Sequence, residues 1–448
     1  MITDLTEGKP SSVLLKFSLP MLWSAVFQQL YNICDSIIAG KFAGEEALAA
    51  IGSSYPVTQI FMSFALGSSV GASVIISQLF GAKKNTQLKT AVSTCYISFS
   101  VLSIILTVCG IFFSSPMLSA LGTPDNIFTG AAAYLKIYLG GMLFVFMYNA
   151  CTAIFNALGD SKTPLYLLIA SSVINVVLDL LFVAVYHWGV SGAAWATFIS
   201  QAAASVTAFI ILNKRLEKIN TPNEPERFSW NTLYSIAQLA VPSILQHCFV
   251  SVGNLFIQSL VNSFGSTVVA GYSAAIKLNT FAVTAFHTLG NGISNFTAQN
   301  IGAGKYERVP QGFKAGCVIG IFVALPFTLT YIILGKPLLG LFTDDPMGGA
   351  VDVGMEFLSI TSPMFFTICI KLAADAVQRG AGKMRYFMIS TFTDLIIRVV
   401  LAYILVEKFG SQGIWMSWPF GWGTAMVLGL SFYFAGTWKK KNSGVLSE

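Results

Sequence analysis

The stretch Leu19-Pro20-Met21-Leu22 begins a long apolar segment near the start of the chain, and Val241-Pro242-Ser243-Ile244 begins another one 222 residues later. At the same offset Phe42 corresponds to Phe264. With one residue removed, a set of small and polar residues repeats as well: Gly71, Ser73, Gln78, Gly81 and Ala82 correspond to Gly292, Ser294, Gln299, Gly302 and Ala303. The sequence therefore predicts an internal duplication with two halves of similar structure.

The composition indicates which solvent surrounds the chain. Hydrophobic residues make up 54% of the 448 residues and charged residues only 10%, which is too little charge for an ordinary water-facing surface. Twelve apolar segments each contain the roughly 20 residues that a helix needs to cross about 30 Å of hydrocarbon. They lie near residues 13–39, 48–80, 88–113, 128–156, 164–186, 190–213, 232–262, 267–300, 310–334, 350–380, 384–407 and 411–437.

These segments predict the fold class. We expect an all-α polytopic membrane protein with twelve transmembrane helices in two pseudo-symmetric six-helix bundles, located in the cell membrane and acting as a monomer. Residues 1–213 form the N-terminal bundle and residues 232–448 the C-terminal bundle, with residues 214–231 as a polar linker.

A duplicated hydrophobic chain is typical of secondary transporters, because two similar bundles can rock about a central site and open it to each side in turn. The sequence has no Walker A motif, in which two spaced glycines are followed by Lys-Ser or Lys-Thr. We therefore expect transport driven by an ion gradient, with no cofactor beyond the coupling ion, H⁺ or Na⁺.

The distribution of Lys and Arg predicts the orientation of the chain. Nineteen of the 26 basic residues lie at the N-terminus, in the loops after even-numbered segments or in the C-terminal tail; the opposite loops hold Lys41, Lys336 and Lys408. By the positive-inside rule both termini and the linker are cytoplasmic. The concentration of basic residues on the cytoplasmic side explains the net charge of +6, so we expect no nucleic-acid partner. We expect the basic tail Lys439–Lys441 to contact anionic lipid headgroups.

Four aspartates lie at membrane depth, where an acid is costly and marks a candidate functional site. Two have a basic residue one helical turn away, in the pairs Lys371/Asp375 and Asp394/Arg398. These pairs are expected to neutralise themselves along their own helices. Asp35 in segment 1 and Asp179 in segment 5 have no such partner. Burial without a basic partner favours the protonated form of a carboxyl, so either residue can carry a proton.

Other polar residues accompany the two unpaired aspartates. Asn175 lies one turn before Asp179, which puts an amide and a carboxyl on one helical face. Together with Asp35, these two side chains are predicted to form an oxygen-rich pocket that binds a proton or Na⁺. A polar stripe in segment 1 follows the i, i+3, i+4, i+7 spacing of a helix face and comprises Gln28, Tyr31, Asn32 and Asp35. The alternative to an ion site is a purely structural role, in which these polar side chains form hydrogen bonds between neighbouring helices.

In their order along the chain, several motifs resemble those of the multidrug and toxic compound extrusion (MATE) transporters. They are Pro20, Asp35, Gln78-Leu79-Phe80-Gly81-Ala82, Asn156-Ala157-Leu158-Gly159-Asp160-Ser161-Lys162-Thr163-Pro164, the Asn175/Asp179 pair, and Gly189-Val190-Ser191-Gly192-Ala193-Ala194-Trp195-Ala196-Thr197. The resemblance covers nearly the whole chain. It implies a V-shaped pair of six-helix lobes that exports amphipathic organic cations in exchange for H⁺ or Na⁺. It also implies that Asp35, Asn175, Asp179 and Thr197 form the ion-coupling site, with Tyr31 close by. If the coupling ion is Na⁺, these four residues are also the metal ligands.

The second half differs from one branch of that family. NorM-like members carry an acid in helix 7 and another in helix 10, whereas segment 7 here offers Gln246 and His247. The chain is therefore more similar to the DinF-like branch, whose coupling acids lie in the first half. His247 and His287 are expected to be hydrogen-bonded packing residues rather than proton relays. The expected substrate contacts are Gln28, Tyr31, Asn32, Asp35 and Gln246.

Two other functions are compatible with parts of the sequence. Gly189-Val190-Ser191-Gly192 matches the Gly-x-Ser-Gly of rhomboid proteases, but the corresponding turn, Gly410-Ser411-Gln412-Gly413, has Gln in place of that Ser. The glycine spacing is thus a feature of the repeat, and we expect a transporter rather than an enzyme. A flippase for lipid-linked saccharide precursors is the alternative transporter. Such proteins commonly carry extra helices and a cationic cavity, and the membrane-depth residues Lys136, Lys277 and Arg398 keep this alternative open.

Overall fold

The computed structural model describes residues 3–342 and 348–439, and within these ranges the only regular secondary structure is helical. Lys440 and Lys441 of the basic tail lie outside the described residues. The α-helices are α1 (Pro10–Ile38), α2 (Glu45–Gly81), α3 (Asn85–Ala120), α4 (Asp125–Gly140), α5 (Met142–Ala157), α6 (Lys162–Asp179), α7 (Gly189–Glu217), α8 (Trp230–Asn262), α9 (Ser266–Gly302), α10 (Arg308–Ile333), α11 (Gly335–Gly340), α12 (Gly349–Thr361), α13 (Phe365–Gly380), α14 (Met384–Phe409) and α15 (Ser411–Phe434). The π-helical turns Ala39–Ala43 and Leu180–Val185 extend α1 and α6, and a 3₁₀ turn, Ser362–Met364, joins α12 to α13.

These helices confirm the predicted twelve-span, all-α membrane architecture. In the described part of the chain, nine spans are long and apolar enough to cross a bilayer, and the pair α4 and α5, bent by 48° between Gly140 and Met142, makes a tenth. The remaining two long helices, α9 and α15, have 37 and 24 residues, and at 1.5 Å per residue both exceed about 30 Å. In the structure α9 packs on α12 and α13, and α15 packs on α14 and α13.

Contacts divide the chain into two compact units. Trp23–Ile244 lies in the first unit, and Leu5–Leu22 with the described residues from Leu245 onward lies in the second. Each division falls two residues after a proline inside a continuous helix, Pro20 in α1 and Pro242 in α8. The repeat in the sequence separates residues 1–213 from 232–448, whereas contacts assign the first turns of α1 to the second unit and those of α8 to the first.

Helix ends repeat between the two halves. Gly159 after α5 and Gly382 after α13 have φ of 77° and 72°, and Lys83 after α2 and Gly304 after α9 have φ of 57° and 72°. In each case the next backbone N–H donates a hydrogen bond to the carbonyl oxygen five residues earlier. This is the Schellman motif, which favours glycine at the left-handed position. Lys83 is the member of this set that is not glycine.

Candidate functional site

The two aspartates without a basic neighbour lie together in the first unit. Asp35 is in the last turn of α1, and Asp179 is the last residue of α6, directly before the π-helical turn. The two π-helical turns contact each other, and the carboxyl groups of Asp35 and Asp179 lie within electrostatic range of each other. Two ionised carboxylates in one buried cluster repel each other, which favours a proton or a cation bound to the pair.

Asn175 connects Asp179 to α7. The amide orientation that satisfies both neighbours has Nδ2 donating to Oδ2 of Asp179 at 2.8 Å and Oδ1 accepting from the backbone N–H of Thr197 at 3.2 Å. Asn175 and Asp179 are almost fully buried. Oδ1 of Asp179 receives no hydrogen bond from an amide or hydroxyl group of the described residues. That oxygen is therefore available to a proton shared with Asp35 or to a bound cation.

Two tyrosines complete the cluster. Tyr31, one turn before Asp35 on α1, forms a side-chain hydrogen bond with Thr197 and lies within electrostatic range of both carboxyls. Tyr134 of α4 lies within the same range of both carboxyls and stacks on Tyr138, with ring centroids 6.1 Å apart and an interplanar angle of 18°. Sequence reasoning missed Tyr134; the only signal was a pair of tyrosines spaced i, i+4 in an apolar helix.

The structure thus brings together the five residues of the first half that the resemblance placed at or near the coupling site: Tyr31, Asp35, Asn175, Asp179 and Thr197. The other predicted substrate contacts are arranged differently. Gln28 and Asn32 contact each other along α1, where Nε2 of Gln28 donates to Oδ1 of Asn32 at 3.5 Å. Gln246 of α8 belongs to the second unit, where its side chain is buried. Their role in binding substrate stays a prediction.

The oxygen atoms of the cluster in the first unit can bind either a proton or a hard cation. Carboxylate, amide and hydroxyl oxygens are the ligands that hard cations prefer. No group of three or more His, Cys, Asp or Glu residues that could hold a metal ion occurs in residues 3–342 or 348–439. A Na⁺ ion would therefore depend on the carboxyls of Asp35 and Asp179, with neutral oxygens of Asn175 and Thr197 completing its shell.

The other two membrane-depth aspartates form the ion pairs expected from their spacing. Nζ of Lys371 lies 3.0 Å from Oδ2 of Asp375, and Nη2 of Arg398 lies 3.0 Å from Oδ1 of Asp394. The guanidinium of Arg398 also lies over the ring of Trp418, 4.4 Å from its centroid. These charges are compensated within one helix, in contrast to the carboxyls of the first unit.

Comparisons of sequence and structure match this chain to known proteins. The family model MatE matches residues 20–181 and again residues 242–404, so each match begins at one of the two helix prolines. The "Probable multidrug resistance protein YoeA" of Bacillus subtilis is 28% identical over 435 residues, which cover 95% of this chain and 93% of the relative. The "FAD transporter" of Shewanella oneidensis is 26% identical over 449 residues, covering 94% and 93%.

A solved structure has the same fold. It is described as "Outward-facing conformation of a multidrug resistance MATE family transporter of the MOP superfamily", is 22% identical in sequence and superposes with a TM-score of 0.91. The superposition covers 98% of this chain and 99% of that one.

Proposed function

The chain belongs to the multidrug and toxic compound extrusion (MATE) family of membrane transporters, and on that premise we propose that it exports amphipathic organic cations in exchange for H⁺. The proximity of Asp35 and Asp179, at the ends of two helices whose π-helical turns contact each other, carries the proposal. Family membership alone does not identify the substrate, because relatives named for drugs and for FAD match the chain at similar identity.

The acidic cluster supports a cationic substrate. Neither Asp35 nor Asp179 forms an ion pair with a Lys or Arg of the described residues. When both carboxyls are ionised, their charge attracts an organic cation, and the rings of Tyr31 and Tyr134 offer it aromatic faces. When protons bind, that attraction is lost.

Coupling follows from competition for the same negative charge. A proton that binds the Asp35/Asp179 pair weakens the binding of a cation, and by linkage a bound cation weakens proton binding by the same factor. Coupling free energies between such sites are about 1–3 kcal/mol, or roughly 5- to 150-fold in affinity. In this proposal Asn175 positions Asp179 by holding one of its two oxygens, and Thr197 holds Asn175 and Tyr31.

The test is ethidium transport by the purified protein in proteoliposomes without ATP. We expect an imposed pH gradient to drive ethidium movement, and a Na⁺ gradient at equal pH to have no effect. Asp35→Asn and Asp179→Asn should each lower pH-driven transport at least about 10-fold, since each removes a group that binds the proton. Asp352→Asn, which removes an exposed carboxyl, is the matched control and should transport normally.

Each outcome has a definite meaning. Transport driven by Na⁺ at equal pH would replace H⁺ by Na⁺ at the same residues. Normal coupling in Asp35→Asn and Asp179→Asn proteins would contradict the assigned site. A strict requirement for ATP would contradict ion-driven transport altogether.

A further inference from the structure

The second unit contains a basic side chain, Arg379, that forms no ion pair within 4.0 Å with an acid of the described residues. Arg379 belongs to the last turn of α13, and its charge would usually be assigned to the adjoining loop. Its guanidinium instead reaches Asn291, which lies eleven residues before the end of α9 at Gly302. Eleven residues correspond to about 16 Å of helix. The head group therefore lies against α9 and not in the loop that follows α13.

The contacts of Arg379 are polar but uncharged. Nη2 donates to Oδ1 of Asn291 at 2.8 Å, and Nε donates to Oγ of Ser294 at 3.4 Å. The guanidinium also lies over the ring of Phe387, 5.7 Å from its centroid. No carboxylate oxygen of residues 3–342 or 348–439 lies within 4.0 Å of it. A guanidinium has five N–H donors in a planar fork that matches a carboxylate, and these hydrogen bonds use only two.

Three further basic or ionisable side chains of the second unit interact with this group. His287 of α9 lies within electrostatic range of Lys371, Arg379 and His247. Lys371 is compensated by Asp375 at 3.0 Å, so the ion pair contributes no net charge. Asp375 also lies within electrostatic range of Arg379, so one carboxylate faces two basic groups. The cluster keeps one positive charge in excess, and His247 and His287 lie beside it.

Part of this basic face is accessible. His287 lies in the middle of α9 and is exposed, and Arg379 is half-buried. Lipid hydrocarbon does not solvate a guanidinium, so a charged side chain that packs along a membrane-spanning helix faces a protein interior or an aqueous cavity. An accessible imidazole beside a cluster with one positive charge in excess is thus a surface that a soluble anion can reach.

We propose that Arg379 and His287 form a binding site for a carboxylate carried by the transported molecule. The site deepens the proposed export of organic cations, on which it rests, because it extends the substrates to zwitterions. Arg379 provides the bidentate donor fork and His287 a further N–H donor. Asn291 and Ser294 position the fork by binding its other N–H groups.

The test compares two rhodamine dyes with the same cationic ring system, one with a free carboxylate and the other its methyl ester. Binding of each dye to the full-length protein in phosphatidylcholine nanodiscs is followed by fluorescence anisotropy. We expect Arg379→Gln to raise the Kd of the free acid about 10-fold or more, since hydrogen bonds between charged groups are the strong ones. The Kd of the ester should change by less than about 2-fold, because an ester carries no charge.

Matched variants separate binding from folding. Arg385→Gln, which removes an exposed guanidinium near the start of α14, should leave both Kd values unchanged. Arg379→Lys should retain part of the preference for the free acid, because it keeps the charge and loses the fork. If Arg379→Gln protein unfolds, His287→Gln provides the same comparison from an exposed position, with a smaller rise in the Kd of the free acid.

The outcomes distinguish this inference from the proposed function. Equal changes in both Kd values, or no change in either, refute the carboxylate site while leaving cation export intact. Binding of the free acid that depends on Arg379, without binding of the ester, supports the carboxylate site and contradicts cation export. Binding of neither dye contradicts both proposals.

Discussion

Asp375→Asn tests how strongly the buried ion pair of α13 contributes to stability. The side chains of Lys371 and Asp375 are only 5% and 2% exposed, and their charged atoms are 3.0 Å apart. At that distance, with an effective dielectric constant of about 20, the Coulomb attraction is about 5 kcal/mol. The substitution removes this attraction and leaves the Lys371 ammonium buried without a counter-charge.

The chain provides a control with the same chemistry and nearly the same distance. Nζ of Lys336 lies 2.9 Å from Oδ1 of Asp352, but these side chains are 65% and 68% exposed. Exposed pairs contribute about 0–1 kcal/mol because water and salt screen them. Breaking a buried pair costs about 3–5 kcal/mol. We therefore expect Asp375→Asn to lower the free energy of unfolding by about 3–5 kcal/mol and Asp352→Asn by less than about 1 kcal/mol.

The measurement is denaturant-induced unfolding of the purified proteins in one detergent, followed by tryptophan fluorescence. A double variant, Lys371→Met with Asp375→Leu, removes both charges and should recover most of the lost stability, because no buried charge is left unpaired. If Asp375→Asn is no more destabilising than Asp352→Asn, water reaches the pair and the assumption of a desolvated ion pair is wrong.

Two further predictions concern topology and a helix end. Because the Lys and Arg residues are concentrated on one side of the twelve spans, reporters fused after Lys218 and after Trp438 should both be cytoplasmic in a fusion assay; opposite locations would contradict an even number of spans between them. Lys83→Gly should raise stability by about 0.5–1 kcal/mol in thermal unfolding, because glycine adopts the left-handed conformation without strain. The reciprocal change Gly304→Ala should lower stability by about 1–2 kcal/mol. An added Cβ at Gly304 meets no atom within 4 Å, so the loss would come from the backbone alone, and a neutral result would refute that account.

Much of the fold is predictable from the sequence because its causes are local. An apolar segment of about 20 residues must cover its own backbone polar groups in hydrocarbon, and a helix does so without help from distant residues. The composition, the duplication and the helix spacing therefore predicted the spans and the transporter class. The ion pairs Lys371/Asp375 and Asp394/Arg398 were predictable for the same reason, since an i, i+4 spacing places both partners on one helical face.

The candidate site depends on how distant segments pack. Asp35 and Asp179 lie near each other because the π-helical turns that extend α1 and α6, separated by more than a hundred residues, contact each other. Sequence patterns showed that each acid lacks a local basic partner and led us to group Asp35 with Asn175 and Asp179, and the family resemblance implied the same grouping. The structure added Tyr134 and the orientation of Asn175.

The same distinction applies to Arg379. Its position in the sequence, next to the loop after α13, indicated a cytoplasmic surface charge, whereas its side chain extends along α9 to Asn291. A long side chain at a helix end can point to water or back along a neighbouring helix, and the sequence spacing is identical in both cases. The neighbour decides which direction gives the guanidinium its hydrogen bonds, and that neighbour is defined only when the helices have packed.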